Sequence, residues 1–390
     1  MTEKGKFQLF YFIRFFGDAF FYPFMSIYLM SKGLSEGQLG IVLAITPITT
    51  ILANPLWNFL IKDMRTSRMV LKFMTLIEGV LIITLTQVSG FELYLLVITL
   101  IAFMCSPFIP IQDGFAATFA NRQKIEYSSI RIYASIAYVI ASALAGLLVG
   151  LVGYTALFIV SGSFFIATMF IVLWLKPVGE DPTKVDAPKR DIKKLLKNRE
   201  FIKYLVFYVL VIGSVRIGDS FFGVYITESR GMGMVAYGIL YSAFVLVEVW
   251  TMRFLMVKGL IVSEQKLMVF STVLFALRFL CYGLNLPLSV IIIATLFRGL
   301  SWGIIIYAHI KFVMKIVSVE NITTAIMILT LFFSIFTGVG NFIFGSVIED
   351  HGYGWLFLGM MGMLVLGLGI FLAFTPKTTS DPLEIVRVDE

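Results

Sequence analysis

Asp18, Glu78, Asp113, Arg131, Arg216, Asp219, Glu248, Arg278 and Arg298 all stand inside long apolar runs, where a charge is out of place. In a bilayer each costs about 2.5–3.5 kcal/mol at mid-depth, so a set of them points to a use. Carboxylates there can take up and release protons. Guanidinium groups can hold a carboxylate or another polar solute. Several of the charges can also neutralise one another. Arg14 and Asp18 are four apart on one helical face, and Arg216 and Asp219 are three apart. Asp113, late in one run, and Arg131, early in the next, can meet across a hairpin, and Glu248 can meet Arg278 or Arg298. Glu78 has no partner visible in the sequence. Buried ion pairs that merely fix packing are the competing explanation, although desolvation makes such pairs poor stabilisers. A cost repeated this often favours a shared water-filled path.

Other residues near these charges are less specific. Tyr138 lies two helical turns after Arg131 and Trp302 one turn after Arg298, so each could stack on a solute or simply pack. His309 and Lys311 fall near the end of their run and are read as interfacial. Pro107 and Pro110 just before Asp113, with Pro23, Pro47 and Pro55, predict bends. Cys105 and Cys281 sit in apolar runs and suggest neither a disulfide nor a zinc site. No metal or cofactor signature is found, and phosphate-loop and dinucleotide fingerprints are missing.

The elements that carry these residues follow from composition. The chain is 59% hydrophobic and 14% charged, against roughly a quarter charged in soluble domains. With a mean hydropathy of +0.92, its natural solvent is lipid. Each crossing helix needs about 20 apolar residues. Spans are predicted near 7–30, 36–61, 69–89, 91–119, 128–151, 153–175, 202–227, 234–257, 266–284, 287–314, 322–348 and 353–375. The first run is too long for a signal-peptide core and is read as span 1. Basic residues gather on one side: Lys4 and Lys6, the loop around Arg65 and Arg68, Arg122 and Lys124, Lys258 and Lys266, and above all Lys184 to Arg199. The opposite loops offer mainly Lys32 and Arg230. This bias places both termini in the cytoplasm and explains the net charge of +7 without nucleic acid.

The segment 176–200 is the linker, polar and proline-containing. It is read as a solvated basic loop, with a surface helix over 191–199 as the alternative. It divides an N-terminal bundle, 1–175, from a C-terminal bundle, 201–377, followed by a tail, 378–390. The two halves repeat. Gly17-Asp-Ala-Phe-Phe21 in span 1 matches Gly218-Asp-Ser-Phe-Phe222 in span 7, each preceded by an arginine. Each is followed by a helix with an early glycine, Gly40 and Gly238. Parallel six-helix repeats characterise the major facilitator architecture.

Span 1, from Tyr11 to Leu29, together with Ser106-Pro-Phe-Ile-Pro-Ile-Gln-Asp-Gly114 and Tyr127-Ser-Ser-Ile-Arg-Ile-Tyr-Ala-Ser-Ile-Ala-Tyr-Val139, resembles the lactose, nucleoside and phenylpropionate permease group of the major facilitator superfamily. The likeness continues through Glu248 and Arg278. It implies an all-α fold of twelve helices in two pseudo-symmetric six-helix bundles. It also implies that Asp113 and Arg131 hold the solute. The sequence departs from the group at three places. Arg298 replaces a histidine, Ser301 replaces the proton-carrying glutamate, and Tyr138 replaces a tryptophan that stacks on galactose. Lactose is therefore not the expected solute, and proton coupling needs another acid.

The expectation is a monomeric cell-membrane permease, a proton symporter for a sugar, nucleoside or aromatic acid. Asp113, Arg131, Tyr138, Asp18, Arg278 and Arg298 would bind the solute, and Glu248, Asp113 or Asp219 would carry the proton. Proton-driven efflux on the same fold is the alternative. An intramembrane enzyme would need a nucleophile–base pair or metal ligands at depth, and His309 and His351 are badly spaced for either.

Overall fold

Lipid offers the backbone no hydrogen bonds, so a chain of this composition must satisfy its amides within helices. The computed structural model describes residues 1–60, 64–175, 192–258, 262–318 and 321–373, and no strand occurs among them. The first helices are α1 (Glu3–Ser31), α2 (Glu36–Leu60), α3 (Met64–Leu85), α4 (Phe91–Cys105), α5 (Phe108–Gln123) and α6 (Ser128–Trp174). After the short α7 (Ile192–Lys197) come α8 (Arg199–Val224), which runs on through a π turn at Tyr225–Ser229, and α9 (Met234–Lys258). The last are α10 (Glu264–Gly283), α11 (Leu288–Ile316), α12 (Ile322–His351) and α13 (Tyr353–Leu372).

Among the described residues nine helical stretches are long and apolar enough to cross a membrane. One of them, α6, is two crossings joined at Gly153, whose backbone (φ 82°, ψ 176°) only glycine adopts readily. Charged α1 and α3 are long enough as well and complete the set of twelve. The expected bend before Asp113 is a break: α4 ends at Cys105 and Pro107 caps α5. Most of the linker, 176–191, and the whole tail, 378–390, lie outside the described residues.

The described chain packs as two compact units that do not follow chain order. The first holds α1–α6 with Ile217–Leu246 and Thr337–Leu356, and the second holds Val247–Phe336, the start of α8 and most of α13. In the first unit α1 and α3 pack along α6. Phe7, Phe10, Tyr11, Leu71, Met74, Phe108 and Phe115 fill the interior there. Helices in lipid associate through close packing, which small residues permit. Gly40 of α2 meets Gly345 of α12 and Gly146 of α6 meets Gly238 of α9, backbone against backbone. In each pair an added β-carbon would fall about 2.7–2.8 Å from the opposite Cα. Gly40 and Gly238 are the glycines that the sequence repeat places in equivalent positions.

Candidate functional site

In the first unit the charges of α1 form a closed network. The Arg14 guanidinium donates through Nη1 to Asp18 Oδ1, and through Nη2 to Glu78 Oε1 and Oε2 at 3.2 and 3.0 Å. Its two faces carry the rings of Phe108 and Phe165, with centroids 4.4 and 4.2 Å away. Asp18 is thus engaged within its own helix, as its spacing from Arg14 predicts. The second acid is Glu78 of α3, which sequence reasoning left without a partner and which is fully buried. Only the packing of α3 could reveal it, since Arg14 and Glu78 lie 64 positions apart.

The expected Asp113–Arg131 contact takes a different form. Asp113 Oδ1 accepts from the Tyr11 hydroxyl at 2.7 Å, which also lies 3.2 Å from the Tyr127 hydroxyl. The Arg131 guanidinium sits over the Phe15 ring at 4.8 Å and near the Tyr11 ring at 6.0 Å. Asp113 and Arg131 make no ion pair within 4.0 Å, because α1 inserts Tyr11 beside both. Both side chains are half-buried. Tyr138, the expected stacking residue, packs near the Tyr241 ring at 6.1 Å.

Beside these residues the same unit joins the two sequence halves. The Tyr237 hydroxyl donates to the Pro23 carbonyl at 2.9 Å, Ser26 Oγ to the Ser220 carbonyl at 3.3 Å, and Ser242 Oγ to the Val139 carbonyl at 2.7 Å. Glu349 Oε2, from α12, accepts from Gly37 N at 2.9 Å and Ser35 Oγ at 3.1 Å at the start of α2. Asp219 is half-buried in this unit, while Arg216, three residues earlier, is exposed.

In the second unit Glu248 of α9 pairs with Arg298 of α11 at 3.8 Å, one of the two partners foreseen for it. Helix α11 comes close to α9 there because Gly303 lies against the Glu248 carbonyl and Thr251. Arg278 is buried among Phe275, Phe279 and Tyr282, with the Phe279 centroid at 4.4 Å. His309 packs against two tyrosines of α8. Its Nδ1 lies 2.5 Å from the Tyr204 hydroxyl, and its ring stacks on Tyr208 at 4.8 Å, a contact hidden from sequence because it joins α11 to α8. Trp302 packs edge-on against Phe275.

Three kinds of protein share this frame. The chain is 22% identical to the maltose permease of Geobacillus stearothermophilus, over 96% of this chain and 95% of that one. It is 30% identical to the probable 3-phenylpropionic acid transporter of Escherichia coli (strain K12) over 146 residues, 37% of this chain and 38% of that one. The fold matches the crystal structure of the nucleoside transporter NupG with a TM-score of 0.79 at 17% identity, covering 96% of this chain and 99% of that one. The family model described as the MFS_1 like family matches residues 5–359. With this match over most of its length and twelve helical stretches long enough to cross a membrane, the chain belongs to the MFS_1-like family and is a major facilitator transporter of a small solute.

Proposed function

We propose that this protein is a cell-membrane symporter that carries a sugar, nucleoside or aromatic acid together with protons by alternating access. Both termini lie in the cytoplasm, and the six-helix bundles 1–175 and 201–377 are the moving halves of a monomer. The observation that carries this reading is the state of Asp113 and Arg131. They have opposite charges, are half-buried, and are held by aromatic residues rather than by each other. Arg131 makes no hydrogen bond to protein among the described residues, so its planar set of donors remains open. Asp113 is held by tyrosine hydroxyls, which a solute hydroxyl or amide donor can replace. Tyr138 offers a ring to the same solute, and Asp18 orients Arg14 behind it. From the C-terminal half, Arg298, Glu248 and Arg278 complete the recognition set, with Glu248 and Asp219 as acids that exchange protons on that side.

A panel of maltose, a nucleoside and 3-phenylpropionate, screened first by thermal shift, identifies the class, because a ligand stabilises the state it binds. The solute that stabilises is then followed into proteoliposomes. Asp113→Asn and Arg131→Lys are expected to abolish its uptake, the latter because lysine lacks the planar donor fork. Undiminished uptake by Asp113→Asn removes Asp113 from the solute's contacts.

A further inference from the structure

Two carboxylates share one guanidinium inside the first unit, and the charges around them do not cancel. Glu78 is 0% exposed, Asp18 5% and Arg14 2%. The other titratable and charged groups facing them are Tyr22 of α1, Cys105 of α4 and Arg131 of α6. Adding Arg131 and its neighbour Asp113 leaves three acids against two arginines. Fully ionised, the cluster carries one excess negative charge, and it falls on the enclosed Arg14–Asp18–Glu78 network, where uncompensated charge is costly. One proton removes it.

One side chain reaches from this network to the outer face of α1. Between Gly17 and Leu29 every residue of α1 is buried except Tyr22, which is 43% exposed. The Tyr22 hydroxyl nevertheless reaches inward to donate to Glu78 Oε1 at 3.3 Å. Arg14, Asp18, Tyr22 and Ser26 follow one another at four-residue spacing along a winding ridge of α1. The stripe ends at the hydrogen bonds that Ser26 and Pro23 make to Ser220 and Tyr237. A change of charge at the network therefore acts on the helix that joins the two sequence halves.

We infer that Asp18 and Glu78, held on Arg14, bind a single proton that enters and leaves through the Tyr22 hydroxyl, and that this proton drives solute movement; the second clause rests on the transporter reading above. Loading is a relay. A hydronium ion gives a proton to Tyr22 Oη, leaving water, as the hydroxyl's own proton passes to Glu78 Oε1. One O–H bond forms on Glu78, Tyr22 is regenerated, and unloading reverses the step. Tyr22 is the relay group and Glu78 the acceptor.

Infrared difference spectra of the full chain in lipid, taken between acid and alkaline pH, report the carbonyl band of a protonated buried acid. Wild type is expected to show, beside any band from Glu248 or Asp219, a distinct band from this network that vanishes as pH rises. Either Glu78→Gln or Asp18→Asn alone should remove that distinct band, because each leaves a neutral pair on Arg14. Glu248→Gln should leave it in place. No band in wild type, or survival of the band in either single variant of the network, overturns the site. Tyr22→Phe, which removes one hydrogen bond to Glu78 and leaves both carboxylates on Arg14, should keep the band but slow its appearance after a pH jump about a hundredfold. An unchanged rate overturns the relay. In proteoliposomes Glu78→Gln should retain counterflow of the stabilising solute and lose its proton-driven accumulation. Retained accumulation overturns the coupling role. If wild type moves none of the panel solutes, the transporter reading alone is struck, since the band decides the proton site without a solute.

Discussion

The Arg14–Asp18–Glu78 network of the first unit is enclosed, whereas the Glu248–Arg298 pair of the second stands partly open. Arg14 and Glu78 side chains are 2% and 0% exposed, and their contacts close to 3.0 Å. Arg298 and Glu248 are 13% and 26% exposed and stay 3.8 Å apart. A sealed network cannot trade a partner for a solute without rebuilding its surroundings, but it can admit a particle as small as a proton. A loose, accessible pair holds its members weakly and can release either one to an incoming polar group. Similar side chains thus suit two tasks, and burial separates them.

The contrast is most exposed at Arg14. Arg14→Met leaves Asp18 and Glu78 facing each other without a counter-charge, and removing one member of a buried pair costs about 3–5 kcal/mol. Thermal unfolding in detergent should show a large fall in midpoint. An unchanged midpoint would mean that water already reaches the network. A smaller loss is expected where the first unit joins the two halves. Gly238→Val drives a side chain into the Ser142 carbonyl and the Gly146 Cα, and overpacking of this kind costs about 1–3 kcal/mol. The same assay, with uptake measured beside it, should fall in both respects; full activity would show that α6 and α9 need not approach so closely. Smallest in stability is Glu248→Gln, expected within about 1 kcal/mol because the pair stays 3.8 Å apart and Glu248 is itself 26% exposed. Its transport should nonetheless collapse. Destabilisation equal to that of Arg14→Met would erase the distinction between the two clusters.

Much of this was legible in the sequence. Apolar runs gave the twelve crossings, Pro107 marked a real break, and the Gly-Asp repeat marked the two halves. The Arg14–Asp18 contact follows from helical spacing alone. Contacts between distant helices were not legible, because periodicity gives a face and not its neighbour. Glu78 found Arg14 only through the packing of α3, and His309 found two tyrosines of α8. Asp113 and Arg131 illustrate the same limit differently: the hairpin brings them to one region, but Tyr11 from a third helix took the carboxylate first. Gly40 and Gly238 were visible as repeat partners, while the glycines they touch were not.

Those glycine crossings bear on how fast the molecule can work. Where α2 meets α12 and α6 meets α9, main chain lies on main chain, so parting them requires no rotamer to be relearned when they close again. The holding forces are dispersion and weak Cα–H···O contacts, each worth a fraction of a kcal/mol to about 1 kcal/mol. Glu349 adds one clasp that water can replace. A latch built this way sits close to balance, and small free energies suffice to tip it in either direction.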